Sequence, residues 1–198
     1  MKQYDKQFDN AYYNSVFPQI ANYDCHYKQS YYFRMWKLGI SWIKKLAKKT
    51  GKISILEIGS GPGQFAHLLW DRGFRDYIGF DFSEWAVNKA RSVSPQKFFL
   101  CNAYDKSCYE NIHYNLVILF EVLEHVEKDI DVLNNVKNNS FVLASVPAYK
   151  AEGHVRGFIH QRHVIKRYGK ILDIKRMETI FTESGKPKWH IFLSKKGV

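Results

Sequence analysis

The sequence predicts an α/β domain built on a seven-stranded sheet, with helices on both faces, an antiparallel last strand and a helical N-terminal cap. Three observations carry that prediction. Residues 53–58 form a β-branched, apolar run of the length of a buried strand, and glycines follow it at alternate positions, Gly59, Gly61 and Gly63. Apolar runs at Tyr77–Asp81, Phe98–Leu100, Tyr114–Phe120 and Phe141–Val146 then alternate with segments of helical periodicity, the pattern of a parallel sheet. The last two runs, Met177–Thr182 and Trp189–Ser194, are joined through Gly185-Lys186-Pro187, a connection so short that the strands must pair antiparallel.

The 198 residues suffice for one such domain, which buries about 70% of the surface of its unfolded chain. A hydrophobic content of 45% marks a folded, globular chain. Apolar runs are too short to cross a membrane, and the first 30 residues are polar and aromatic, so a soluble, cytoplasmic protein without membrane insertion is expected. Cys25, Cys101 and Cys108 are odd in number and lack metal-type spacing, which predicts reduced thiols and no zinc. The net charge of +11 is uneven: residues 1–50 carry 9 basic and 3 acidic side chains, residues 51–149 carry 9 and 12, and residues 150–198 carry 12 and 4. Basic flanks favour an anionic partner by steering, or else are simply a solvated surface.

Residues 1–50 precede the first strand and read as a helical, aromatic cap on the unit formed by 51–198. Tyr4, Phe8 and Tyr12 recur every four residues, as do Tyr23, Tyr27, Tyr31 and Met35. The stripe either packs the cap onto the domain or presents Tyr12, Tyr13, Tyr27, Tyr31 and Tyr32 to a substrate. Trp42, Ile43 and Leu46 continue an amphipathic helix that ends at Gly51, with Lys44, Lys45, Lys48 and Lys49 outside.

After the first strand, Gly59, Ser60, Gly61 and Gly63 form a turn against which a ligand can lie, and Gln64–Arg72 continues as a helix closed by Gly73. The dinucleotide fingerprint needs a glycine where Gln64 stands, and the carboxylate of Glu57 would repel a pyrophosphate. A ligand with a cationic end fits better. The second strand ends in a carboxylate, Asp81, suited to the two hydroxyls of a ribose; Ser83 then caps a helix through Arg91. The Glu57-x-Gly59-x-Gly61-x-Gly63 pattern resembles the first motif of class I S-adenosylmethionine (SAM)-dependent methyltransferases. That resemblance implies a Rossmann-like fold with SAM on Glu57 to Gly63, its ribose on Asp81 and its adenine beside Phe82, Asn102 and Ala103. The family commonly has an acidic residue at position 102 and Phe-Asp where Tyr114-Asn115 stand; Asn102 keeps an acceptor oxygen.

Glu121-Val122-Leu123-Glu124-His125-Val126 follows the fourth strand and resembles the corresponding motif of the ubiquinone-biosynthesis O-methyltransferases and their small-molecule relatives. A helical turn beginning at Glu121 would put Glu121, Glu124 and His125 on one face. Such a set could hold a divalent metal such as magnesium, supply His125 as a general base, or merely cap a helix and line the SAM pocket with Glu121. Ile130, Leu133 and Val136 mark the next helix. The loop after the fifth strand, Ala148–His163, includes His154-Val155-Arg156, similar to a segment of several relatives; it offers His154 as a second candidate base and Arg156 as an anion-holding group, or a set of surface histidines. A further helix begins at Val164–Tyr168.

The expected function is methyl transfer from SAM to a small, anionic metabolite or sugar derivative, most naturally at oxygen. Methylation of RNA or other nucleic acid is the alternative, on the strength of basic flanks interleaved with aromatics. A SAM-binding module without catalysis is a third reading, left open by Asn102 and Asn115.

Overall fold

The computed structural model describes residues 7–197; Tyr4, the first member of the aromatic stripe, lies outside them. The chain divides into two compact units, with the break between Asn115 and Leu116.

The first unit, Asp9–Asn115, begins with the cap. Asp9 accepts the Tyr12 amide and so starts α1 (Asn10–Val16), and a 3-10 turn (Phe17–Gln19) and α2 (Ala21–Asp24) follow. In α3 (Phe33–Thr50), Met35, Trp36, Gly39, Ile40, Trp42, Ile43 and Leu46 form the buried stripe, and Gly51 closes the helix at φ 84°. Three parallel strands form this unit's part of the sheet: β1 (Ile55–Ile58), β2 (Tyr77–Asp81) and β3 (Lys97–Leu100), with β2 in the middle. Between them lie α4 (Gln64–Asp71) and α5 (Glu84–Val93), the latter capped by the Ser83 hydroxyl as its sequence predicts. A 3-10 turn (Lys106–Tyr109) follows β3. Asn115 accepts the Ser54 amide at 3.0 Å and donates to the Lys52 carbonyl at 2.9 Å. An aspartate could only accept, so the departure from the family's usual residue has a structural reason.

The second unit runs from Leu116 and includes Phe8. Here β4 (Leu116–Phe120) and β5 (Phe141–Pro147) are parallel, while β7 (Pro187–Lys196) runs antiparallel to both β5 and β6 (Leu172–Phe181). Leu116–Leu119 are wholly buried, as a central strand covered on both faces should be. Helices α6 (Asp129–Asn135) and α7 (Gln161–Tyr168) complete it. They are tied through Asp129, which is fully buried and receives Arg167 at 2.5 and 2.6 Å and the Tyr168 hydroxyl at 2.7 Å. The seven strands form a Rossmann-like sheet in the order β3-β2-β1-β4-β5-β7-β6, with the predicted reversed last strand.

Two expectations are corrected. Cys101 and Cys108 form a disulfide, because the 3-10 turn folds the chain back and brings their Cα atoms to 6.1 Å; only Cys25 is free. No helix begins at Glu121: that residue stands at φ 56°, in the left-handed region, and regular helix resumes only at Asp129.

Candidate functional site

The first unit holds the glycine turn. Gly61 and Gly63 have φ of 52° and 78°; a Cβ at Gly63 would strike Ala90 at 2.8 Å, whereas one at Gly61 would meet no atom within 4 Å. Gly63 is therefore required by the packing of α4 on α5, and Gly61 leaves the main chain open to a ligand. Asp81, 5% exposed, holds the turn: one carboxylate oxygen accepts the Gly61 amide at 2.9 Å and the other the Ser83 amide at 2.9 Å. Each oxygen keeps a lone pair for a hydroxyl. Burial raises the Asp81 pKa, and the backbone amides of Ser83, Gly61 and Phe82 oppose it.

Glu57 is 3% exposed and accepts the Tyr77 hydroxyl. Burial pushes its carboxyl up to about 8, with the Asp81 charge adding to the rise and Tyr77 opposing it. Two buried acids, Glu57 and Asp81, suit a ligand with a cationic end. Tyr77 escaped the sequence reading because its role depends on register: it shares a sheet face with Gly79, whose missing side chain leaves room for the ring.

On the same unit, Tyr13 packs edge-on against Phe82 at 5.3 Å, and Asn14 receives the Ser83 hydroxyl at 2.7 Å. The side chain of Gln64 donates to the Asn22 and Cys25 carbonyls at 2.8 and 2.7 Å, clamping the cap to the first turn of α4. Tyr12 is half-buried beside Tyr13, and Tyr31, 47% exposed, bonds Tyr32. Tyr27 takes the packing alternative: it is 2% exposed, with its hydroxyl 2.5 Å from Asp71. Asn102 accepts the Tyr104 amide at 3.0 Å, and the Ala103 carbonyl accepts the Tyr109 hydroxyl at 2.7 Å.

The second unit brings Glu124, His125 and His154 together, with one ligand atom of each within 4.8 Å of the others. Tertiary folding, not a helical face, assembles this set, and His154 replaces Glu121 in it. The Glu121 carboxylate instead accepts the Ser145 hydroxyl at 2.8 Å, while the Glu121 amide donates to the same oxygen at 3.1 Å. The partnership of Ser145 with Glu121 comes from the pairing of β4 with β5, which sets Phe120 opposite Ser145 and which no local feature of the sequence marks. Glu124 is fully buried and neither of its carboxylate oxygens has a hydrogen-bond partner. Its pKa is raised well above normal by burial and then by the Glu121 charge; burial lifts Glu121 itself to about 7.

His125 Nδ1 lies 2.9 Å from the Gly153 carbonyl, which can only accept, so the ring proton sits on Nδ1 and the lone pair on Nε2. That Nε2 is 3.7 Å from Glu124. Burial, and then the neighbouring His154, hold the His125 pKa down to about 4; burial also lowers His154. The His154 ring stands edge-on to His125 at 4.9 Å, with Tyr149 beside it. A neutral imidazole lone pair next to an unpartnered buried carboxylate can take a proton or ligate a cation. Arg156, expected to hold an anion, is committed otherwise: its guanidinium donates to the carbonyls of Leu123, Val126 and Glu127 and so fixes the loop that carries Glu124 and His125.

A family profile described as a methyltransferase domain matches residues 29–185. A search of curated proteins finds no match. Among solved structures, a protein of Pyrococcus horikoshii shares 18% identity over 96% of this chain and 99% of its own, with a TM-score of 0.65. The magnesium protoporphyrin IX methyltransferase of Synechocystis, solved with SAM bound, shares 16% over 83% and 79%, with a TM-score of 0.61. The N-methyltransferase NodS of Bradyrhizobium japonicum, in complex with S-adenosyl-L-homocysteine, shares 19% over 79% and 84%, with a TM-score of 0.60. All three share the fold with this chain at under 20% identity. With its profile match spanning most of its length, the chain belongs to the methyltransferase domain family and is a SAM-dependent methyltransferase.

Proposed function

We propose that the protein transfers the methyl group of SAM to a hydroxyl oxygen of a small, anionic metabolite or sugar derivative. The observation that carries this reading is the Glu124, His125, His154 cluster, because a hydroxyl must lose a proton before or as it is methylated. SAM would lie on Glu57 and Gly59 to Gly63, with its ribose on Asp81 and its adenine near Phe82, Asn102 and Ala103; the open main chain at Gly61 and the burial of both acids support that placement. The sulfonium loses its charge on transfer, so the chain's main tasks are alignment and exclusion of water.

His125 is the candidate base. Its Nε2 lone pair would take the acceptor proton, Gly153 holding the ring in the required tautomer and burial keeping the imidazole neutral at pH 7. His154 packs beside it as the second imidazole. The donor set also fits a divalent cation such as magnesium: the unpartnered oxygens of Glu124 are hard ligands, His125 and His154 would complete them, and Glu121 lies close enough for its charge to raise Glu124. A bound cation would lower the pKa of the acceptor hydroxyl.

The reading is of a cytoplasmic enzyme working on a dissolved substrate; among the described residues no helix is long and apolar enough to cross a membrane. A nucleic-acid acceptor is the second reading, favoured by the 12 basic against 4 acidic side chains of residues 150–198. The test is to incubate the protein with methyl-labelled SAM and a cell extract divided into small-molecule, nucleic-acid and protein fractions, with and without a chelator. Label in the small-molecule fraction, lost with chelator and restored by magnesium, is expected. Nuclease-released label would transfer the reading to nucleic acid, and indifference to chelator would remove the metal.

A further inference from the structure

The loop after β3 is closed covalently, by the disulfide between Cys101 and Cys108. The reading above places the adenine on Asn102 and Ala103, both inside that closure. The loop is cross-braced: the Asp105 amide donates to the Asn102 carbonyl at 2.8 Å, and the Tyr109 hydroxyl to the Ala103 carbonyl at 2.7 Å. At its start, the Cys101 amide donates to the carbonyl of Asp81 at 2.9 Å, and Asp81 is the residue placed on the ribose. One disulfide thus closes the backbone assigned to the adenine, and the backbone amide of its first cysteine is hydrogen-bonded to the strand end assigned to the sugar.

A cross-link between residues 7 apart closes a short loop, which gains somewhat less from loop closure than a long one. Access points to another role: Cys101 is half-buried, open to a small thiol, while Cys108 is 2% exposed.

We propose that Cys101 and Cys108 form a thiol–disulfide switch on SAM affinity. Oxidised, the pair holds Asn102 and Ala103 in place for the adenine; reduced, the loop must be ordered by the ligand itself, and affinity falls. In the reducing direction the thiolate of a small thiol attacks Cys101 Sγ, the S–S bond breaks, and Cys108 leaves as a thiolate that takes up a proton. A second small thiol then displaces Cys101 from the mixed disulfide. Two electrons pass to the two cysteines, and the small thiols leave as their own disulfide. A small-molecule disulfide runs the exchange backwards.

The inference rests on the proposed placement of SAM, and the test separates the two. The protein is poised with a dithiol or with a small-molecule disulfide, its state is read by intact mass after thiol alkylation, and S-adenosyl-L-homocysteine affinity is measured by calorimetry in each state. The reduced form is expected to bind about tenfold more weakly, the factor that re-ordering roughly one backbone residue costs. The C101S/C108S variant should match the reduced form and ignore thiols, and C25S should behave as the parent. Equal affinity in the two verified states, or failure of the oxidised sample to lose two alkylatable thiols, overturns the switch while leaving the SAM site intact. Absence of binding in both states overturns the placement of SAM and the switch with it.

Discussion

Replacing Asp81 by alanine probes the glycine turn and the cofactor placement together. In the folded chain its carboxylate accepts the Gly61 and Ser83 amides, each at 2.9 Å, from a position 5% exposed. Hydrogen bonds to a charged acceptor contribute about 1.5–3 kcal/mol apiece, so two of them gross about 3–6 kcal/mol. Part of that is offset by relief from burying the charge, the same burial that raises the Asp81 pKa. A net loss of about 2 kcal/mol in stability is expected, read as a lower urea midpoint with an unchanged slope. Affinity for S-adenosyl-L-homocysteine should fall further, by about 100-fold, because the ribose loses its acceptors and the Gly61 amide loses its anchor. Asp81→Asn should be intermediate: the amide keeps one acceptor but turns an NH2 toward a backbone N–H. Calorimetry on the folded variants decides. An Asp81→Ala protein that unfolds cooperatively near its parent and binds the ligand as tightly would refute both the anchoring role and the ribose placement.

Glu57 has a folded pKa raised to about 8, so the native state holds a proton that the unfolded state releases above the ordinary carboxylate range. Its penalty on folding is absent at low pH and grows as pH rises from about 4.5 to 8; Glu57→Gln should therefore flatten the alkaline loss of stability in urea titrations, by several kcal/mol at pH 8. Binding of cationic SAM should release a proton from Glu57, seen as a buffer-dependent binding enthalpy at pH 7 that vanishes in the same variant. His125 has the opposite dependence. Its pKa is lowered from 6.5 to about 4, so the unfolded chain takes up a proton that the native state refuses, and stability falls as pH drops across that window. His125→Asn should remove about 3 kcal/mol of the difference between pH 7 and pH 4; an unchanged acid limb would show that the ring is solvated. Glu124→Gln replaces a buried carboxylate that lacks partners by a neutral isostere. It should raise the melting temperature at pH 8 and abolish methyl transfer, whereas full activity would remove Glu124 from the site.

The parts of this protein that sequence alone determined are those written in contiguous residues. The run 53–58 and its alternating glycines specify strand, turn and helix because β-branched packing, left-handed φ and helical periodicity are each set within a few residues. Ser83 as a cap and the reversed β7 were legible for the same reason: a hydroxyl reaches its own first turn, and a short connection admits only an antiparallel return.

What tertiary structure alone decided lies between residues far apart in the chain. Tyr77 meets Glu57 through the register of two parallel strands, Gln64 finds carbonyls about 40 positions earlier, and Arg156, offered by the sequence as an anion-holding group, donates to the carbonyls of Leu123, Val126 and Glu127. Glu121, Glu124 and His125 have helical spacing, yet the Ser145 hydroxyl on β5 draws Glu121 away and a left-handed backbone breaks the turn, so His154 takes its place. Cys101 and Cys108 carry no metal-type spacing, and only the 3-10 turn that folds their loop brings the sulfurs together. Local propensity sets the conformation of a segment, but which buried polar group satisfies which is settled only when the whole chain has closed around them.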